Sequence, residues 1–137
     1  MMYGQNKAAQ YRSVRSHGLV ADASPTRVVQ IMFEGILAHL ATARGCMARI
    51  KDNRPMGEVT SKLNAIGKAI ALVVQLNGTL DLERGGEVAQ NLRALYDYMM
   101  TRLTLANATN DGRIVAEVAG LVAEIKVGWD QIVTDSR

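Results

Sequence analysis

The 137-residue chain has the length of one domain, and with 48% of its residues apolar it can bury a core without disulfides or structural metals. Its net charge of +3 arises from 16 Lys and Arg scattered without a run, which excludes the basic stripe and aromatic platforms of a nucleic-acid binder. The single Cys46 allows no internal disulfide, Met1-Met2-Tyr3-Gly4 opens no secretory signal, and the aliphatic run Ala69 to Val74 is far short of the ~20 residues that cross a bilayer, so a cytoplasmic chain without a membrane span is expected.

Residues 1–23 mix Gln, Asn, Arg, Ser and Gly with isolated Tyr3, Tyr11, Val14, Leu19 and Val20. They read as an N-terminal arm or short cap helix. Such a segment is either a frayed terminus or a strap whose Tyr11, Val14 and Leu19 dock on an apolar groove. Ser24-Pro25 then reads as an N-cap followed by Pro at the first helical position, and Asp52 to Gly57, with Pro55 inside it, reads as a turn. Between them Phe33, Ile36, Leu40, Ala43, Met47 and Ile50 alternate in steps of three and four, predicting a first helix over 25–51. The same rhythm in Val59, Leu63, Ile66, Ile70 and Val73 predicts a second over 57–77, stopped by Asn77-Gly78.

After the polar link Leu80 to Gly86, the residues Val88, Leu92, Leu95, Met99, Leu103 and Ala106 predict a third helix over 86–108, with Glu87 at its positive end. Asn110-Asp111-Gly112 breaks it, Asp111 serving as an N-cap. Val115, Val118, Val122, Ile125, Trp129 and Ile132 define a fourth over 112–133. No strand alternation is sustained. Short links make neighbouring helices antiparallel, so residues 24–137 are expected to form an all-α, up-down-up-down four-helix bundle.

Catalytic chemistry is missing from this pattern. A Cys or Ser nucleophile needs a positioned His base, and the chain has only His17, in the arm, and His39, between Ala38 and Leu40. Cys46 reads as a small packing group. There is no Glu-x-x-His repeat for a bundle metal site, and Gly85-Gly86 lacks the spacing of a phosphate loop, so no cofactor or metal is expected. Glu117 and Glu124 read as solvated face residues. The seam positions are all uncharged, which predicts no charged residue inside the bundle and no enzymatic activity.

What remains is apolar excess. On the second helix Leu63, Ile66, Ile70 and Val73 flank a narrow polar line on one side, and Ala65, Ala69, Leu72 and Leu76 flank it on the other. One stripe can face the core; the other needs a different cover. The third helix adds Ala94, Tyr96, Tyr98, Met100 and Leu105 to its seam. Flexible Met99 and Met100 suit a surface that adapts to a partner. A groove on these two helices that accepts an amphipathic helix is therefore expected, with Tyr11, Val14, Ile66, Ile70, Leu72, Val73, Leu76, Leu92, Tyr96, Tyr98, Met99 and Met100 as the candidate contacts.

Ordered landmarks also resemble one family. Asp22-Ala23-Ser24-Pro25 looks like the Thr-Ala-Ser-Pro that opens the first helix of FliS proteins, and Met32-Phe33-Glu34-Gly35 resembles their Met-Leu-Tyr-Asp/Glu-Gly. Leu80-Asp81, Gly85-Gly86-Glu87, Asn91-Leu92 and Leu95-Tyr96-Asp97-Tyr98-Met99 follow in the family's order, then Leu103, Ala106-Asn107, Asn110-Asp111 and Trp129. Asp22 and Phe33 depart from the usual Thr and Tyr. The resemblance spans Tyr11 to Trp129. It implies a cytoplasmic chaperone that binds the C-terminal segment of flagellin, disordered in the monomer and helical in the filament, and prevents premature polymerisation before type III flagellar export. It further implies a displaceable cap around Tyr11. The flagellar export apparatus and other flagellar regulators are further expected partners, with no nucleic acid or membrane, the protein being a monomer or homodimer. A helical scaffold that self-associates through the same groove is the alternative.

Overall fold

The computed structural model describes residues 24–54 and 56–135. Four helices account for nearly all of them: α1 (Pro25–Lys51), α2 (Glu58–Gly78), α3 (Gly86–Thr109) and α4 (Gly112–Asp135). Residues 1–23, including Tyr11 and Val14, and Pro55 lie outside the described set. Each helix packs on its two neighbours in the ring α1-α2-α3-α4, and no diagonal pair brings Cα atoms within 8 Å. With links this short the ring is an antiparallel up-down-up-down bundle, as the sequence pattern requires.

Local chemistry sets the boundaries. Extended Ser24 accepts the Arg27 N–H at 3.3 Å through its Oγ, and Pro25 follows at N1. At the far end of α1, Asn53 takes a left-handed conformation (φ 59°), and the Arg54 N–H returns to the Arg49 carbonyl at 2.9 Å. Gly57 turns the chain into α2 with φ 76°, a value that costs glycine little and any residue with a Cβ more. Gly78 does not act as the expected left-handed stop. It is the last helical residue, and Thr79 ends α2 in a right-handed conformation with its N–H and its hydroxyl both donated to the Leu76 carbonyl. Asn110 (φ 53°) closes α3, and Asp111 caps α4 by accepting the Arg113 N–H at 2.9 Å.

The core follows the seam on α1, where Phe33, Ile36, Leu40, Ala43 and Met47 are all buried. Val115, Val118 and Val122 face them from α4, and Met99, Leu103 and Ala106 from α3. Trp129 meets Phe33 edge to face, ring centroids 6.2 Å apart, and donates its Nε1–H to the Thr26 carbonyl at 2.7 Å.

On α2 the outcome differs from the two-stripe expectation. The buried line is Lys62, Ala65, Ile66, Ala69, Val73 and Leu76, drawn from both stripes. A helix wedged between α1 and α3 buries a wide arc, so the two stripes are flanks of one interface. Val59 and Leu63 turn outward instead, each nearly half exposed. Lys62 overturns the expectation that no charged residue lies inside the bundle. Only 7% exposed, its Nζ donates to the Asn107 carbonyl at 3.0 Å and the Asn110 Oδ1 at 3.4 Å, the free acceptors at the C-terminal end of α3. By length and composition α2 is the one described helix that would pass for a membrane span, with mean hydropathy 1.2 in its most apolar window, yet this charged side chain and its flanking neighbours place it in the bundle.

Candidate functional site

Up-down-up-down connectivity brings the start of α1, the end of α2, the start of α3 and the end of α4 to one end of the bundle. They surround an apolar cavity of about 290 Å³. Val29, Leu76, Ala89, Leu92, Tyr96 and Trp129 supply its walls, with Pro25, Leu80, Gly85 and Val88 toward the mouth. Val88 is 69% exposed, a large apolar side chain held in solvent at that mouth.

The Gly85-Gly86 pair builds this rim. Gly85 donates its N–H to the Asp81 carbonyl at 2.8 Å, and a Cβ there would stand 2.7 Å from the same oxygen and 2.6 Å from the Ala89 Cβ. Gly86 has φ 55°. Two glycines are thus needed for two different reasons, a close approach and a left-handed turn. Asp81 also accepts the Arg84 N–H through its side chain at 3.1 Å, tightening the link.

The candidate contacts inferred from sequence fall in several places. Leu76, Leu92 and Tyr96 line the cavity. Burial pushes the Tyr96 phenol up to about 12, so it is neutral at any physiological pH. Ile66, Val73 and Met99 are core residues, each no more than 1% exposed. Ile70 and Met100 are half-buried against the core edge. Leu72 leans on α1, its Cδ1 3.1 Å from where a Gly35 Cβ would stand. Tyr98 faces α4: its hydroxyl donates to Glu117 at 2.8 Å, and Arg102 donates to the other oxygen of the same carboxylate at 2.8 Å. Glu117 is therefore an interhelix acceptor as well as a face residue, its carboxyl held below the usual range by Arg102 and then Tyr98.

Val29, Leu80, Val88 and Trp129 line the cavity without having been singled out as contacts. Their common signal was topological. The bundle order already implied that the last turns of α4 and the Leu80 link stand beside the first turns of α1.

His39 lies against α2 in a shallow polar groove with Asn64 and Lys68, its pKa lowered by burial and then by Lys68. Cys46 is buried, and burial pushes its thiol up. Among the described residues no three His, Cys, Asp or Glu converge as a metal site.

Charge divides along the bundle axis. Cut at the helix midpoints, the half around the cavity (24–37, 69–97 and 124–135) carries four Lys and Arg against eight Asp and Glu. The other half (38–68 and 98–123) carries eight against four. Residues 1–23, which precede Ser24 in the sequence, carry Lys7, Arg12 and Arg15 against Asp22.

Comparison with known proteins agrees with the fold. The chain is 43% identical over 131 residues to the flagellar secretion chaperone FliSB of Pseudomonas aeruginosa, covering 96% of this chain and 98% of the relative. It is 37% identical over 132 residues to the flagellar secretion chaperone FliS of Salmonella typhimurium, covering 96% and 93%, and 34% identical over 131 residues to that of Escherichia coli, covering 95% and 91%. The model of the family described as flagellar protein FliS matches residues 6–136, nearly the whole chain, and with these relatives it establishes that the chain belongs to the FliS family.

Proposed function

We propose that this protein is a flagellar secretion chaperone that binds the disordered C-terminal region of flagellin and keeps it from polymerising before type III export. The apolar cavity between the end of α2 and the start of α3 carries the proposal, because it offers Leu76, Leu92 and Trp129 to an apolar side chain of an incoming helix. Exposed Val88 extends that surface outward, and large exposed apolar residues grouped at a cavity mark binding surfaces. A segment that folds as it binds offsets its ordering cost by burying such surface, so no nucleotide is required.

In this reading the arm of residues 1–23 is a displaceable cap. It joins α1 at Ser24, beside the Pro25 and Thr26 that line the cavity, and its basic excess complements the acidic half of the bundle. Tyr11 and Val14 are the side chains assigned to the cavity.

Titration of the full chain with a flagellin C-terminal peptide is expected to give one-to-one binding, a gain in helical circular dichroism and a strongly negative heat-capacity change. No heat together with no spectral change would overturn the proposal. Tyr11→Ala should change flagellin affinity while leaving the thermal midpoint in place, and an unchanged dissociation constant would remove the cap from the mechanism. Light scattering separates the scaffold alternative, which requires oligomers of the free chain that persist when the peptide is added.

A further inference from the structure

At the end of the bundle remote from the apolar cavity, the last turns of α1 meet the first turn of α4 around a second cavity of about 310 Å³. Its floor is apolar, formed by Met47, Ala48 and Ala116, and its rim carries Arg44, Lys51 and Arg113. Arg113 is engaged by Asp111 at 3.3 Å. Arg44 and Lys51 are exposed, and their side chains make no ion pair or hydrogen bond among the described residues. Asp111 also lines the cavity, its carboxylate being the one that engages Arg113, and the surrounding half of the molecule has twice as many basic as acidic residues.

We propose that this cavity docks an acidic segment of a partner protein, with carboxylates on Arg44 and Lys51 and one aliphatic side chain on the Met47, Ala48 and Ala116 floor. A guanidinium pairs with a carboxylate through two parallel hydrogen bonds, and an ammonium adds a flexible point charge beside it. The apolar floor selects a peptide over a small inorganic anion, which would touch the rim alone. No aromatic residue lines the cavity, so the stacking platform that holds single-stranded nucleic acid is missing. The arm of this chain is unsuited, being basic itself and joined at the other end. α1 spans 27 residues, which at about 1.5 Å per residue separates the two ends by roughly 40 Å. A client in the apolar cavity and a partner here can therefore be held together, and this site stands whatever fills the first one.

The test uses the full chain and a fluorescein-labelled peptide, Glu-Glu-Asp-Leu-Asp-Glu-Glu, at about 50 mM salt, where surface charge is weakly screened. A saturable rise in anisotropy is expected, with amide shifts at Ala48, Gly112 and Ala116 and none at Leu80 or Gly85. Arg44→Glu combined with Lys51→Glu should weaken binding by about tenfold or more, the size expected for losing two charge contacts. Arg93→Glu, at the opposite end, should leave it unchanged. The milder Arg44→Gln with Lys51→Gln pair gives the same reading should charge reversal disturb α1. The proposal is overturned by the absence of saturation, by equal binding to either double variant, or by shifts at the apolar cavity instead. Tighter binding of an oligodeoxynucleotide of equal charge through the same two residues would also overturn it, as would an Arg44-dependent dimer that excludes the peptide.

Discussion

Lys62 is the residue whose role depends most on tertiary structure. Its stem lies in the α2 interface and its ammonium closes off the Asn107 carbonyl and the Asn110 side chain, tying α2 to the C-terminal end of α3, where the helix dipole favours a cation. Asn110 in turn donates to the Met47 carbonyl at 3.4 Å, so one left-handed residue links three helices. Lys62→Met keeps the stem and strips the donors, leaving a part-buried carbonyl unpaired; the expected cost is about 1–3 kcal/mol in denaturant unfolding. A cost near zero would mean that the Met side chain packs as well as the ammonium bonds. Trp129→Phe makes a contrasting case. It can keep the edge-to-face contact with Phe33 and loses the Nε1–H donated to Thr26, so about 1 kcal/mol is expected, with a smaller loss than Trp129→Ala at about 3–5 kcal/mol. Because Trp129 also lines the apolar cavity, only the alanine variant should lower flagellin-peptide affinity strongly.

At the scale of elements, the link between α2 and α3 is where local geometry shapes the cavity. Gly85→Ala would force its Cβ against the Asp81 carbonyl, a backbone atom that can yield only if the Leu80 to Gly85 turn opens. We expect a loss of about 1–3 kcal/mol and a reshaped cavity mouth, read by thermal melting and by amide shifts at Leu80 and Val88. The helices themselves were legible because each end carries its own signal: Ser24-Pro25 for α1, Asn110-Asp111 for the turn into α4. The buried face of α2 was not legible. Periodicity gives the direction of an apolar stripe, and says nothing of how many neighbours a helix has, so a wide arc flanked by α1 and α3 reads as two stripes. Lys62 was hidden by the same logic, since a lysine is counted as solvated until the acceptors opposite it are known. Of the site, Leu76, Leu92 and Tyr96 were found from the excess on α2 and α3, whereas Val29 and Trp129 join them only through the meeting of helix ends.

For the whole molecule, polar clasps supplement the apolar core at the seams. Arg49–Glu58 ties α1 to α2 at 2.7 Å, Arg102 and Tyr98 tie α3 to α4 through Glu117, and Asp130 joins α4 to α1 by accepting from Gln30 while pairing with Lys126 at 2.7 Å. In each the carboxylate is held below its ordinary pKa, Glu58 by Arg49, Glu117 by Arg102 and Tyr98, and Asp130 by Lys126 and Gln30. A depressed carboxyl binds its proton at higher pH in the unfolded chain than in the folded one. Its contribution is therefore complete above the ordinary carboxylate range, about 4, and is lost as pH falls through the folded value. The Lys62 end of the α2–α3 seam differs, because Lys62 donates there to a carbonyl and an amide, which do not titrate in acid, whereas Asn77 donates to the Asp97 carboxylate toward the other end. The thermal midpoint should accordingly decline slightly as pH falls below about 6.5, where burial keeps His39 from taking up the proton that the unfolded chain binds, and fall further below about 4. Hydrogen exchange in that acid range should accelerate at the α3–α4 seam, around Tyr98 and Glu117, before it does at the Lys62 end of α2. Glu117→Gln should flatten part of the midpoint's fall, since it removes one titrating acceptor and keeps a hydrogen-bonding side chain. A midpoint that rises on acidification would show that repulsion within the acidic half outweighs these clasps.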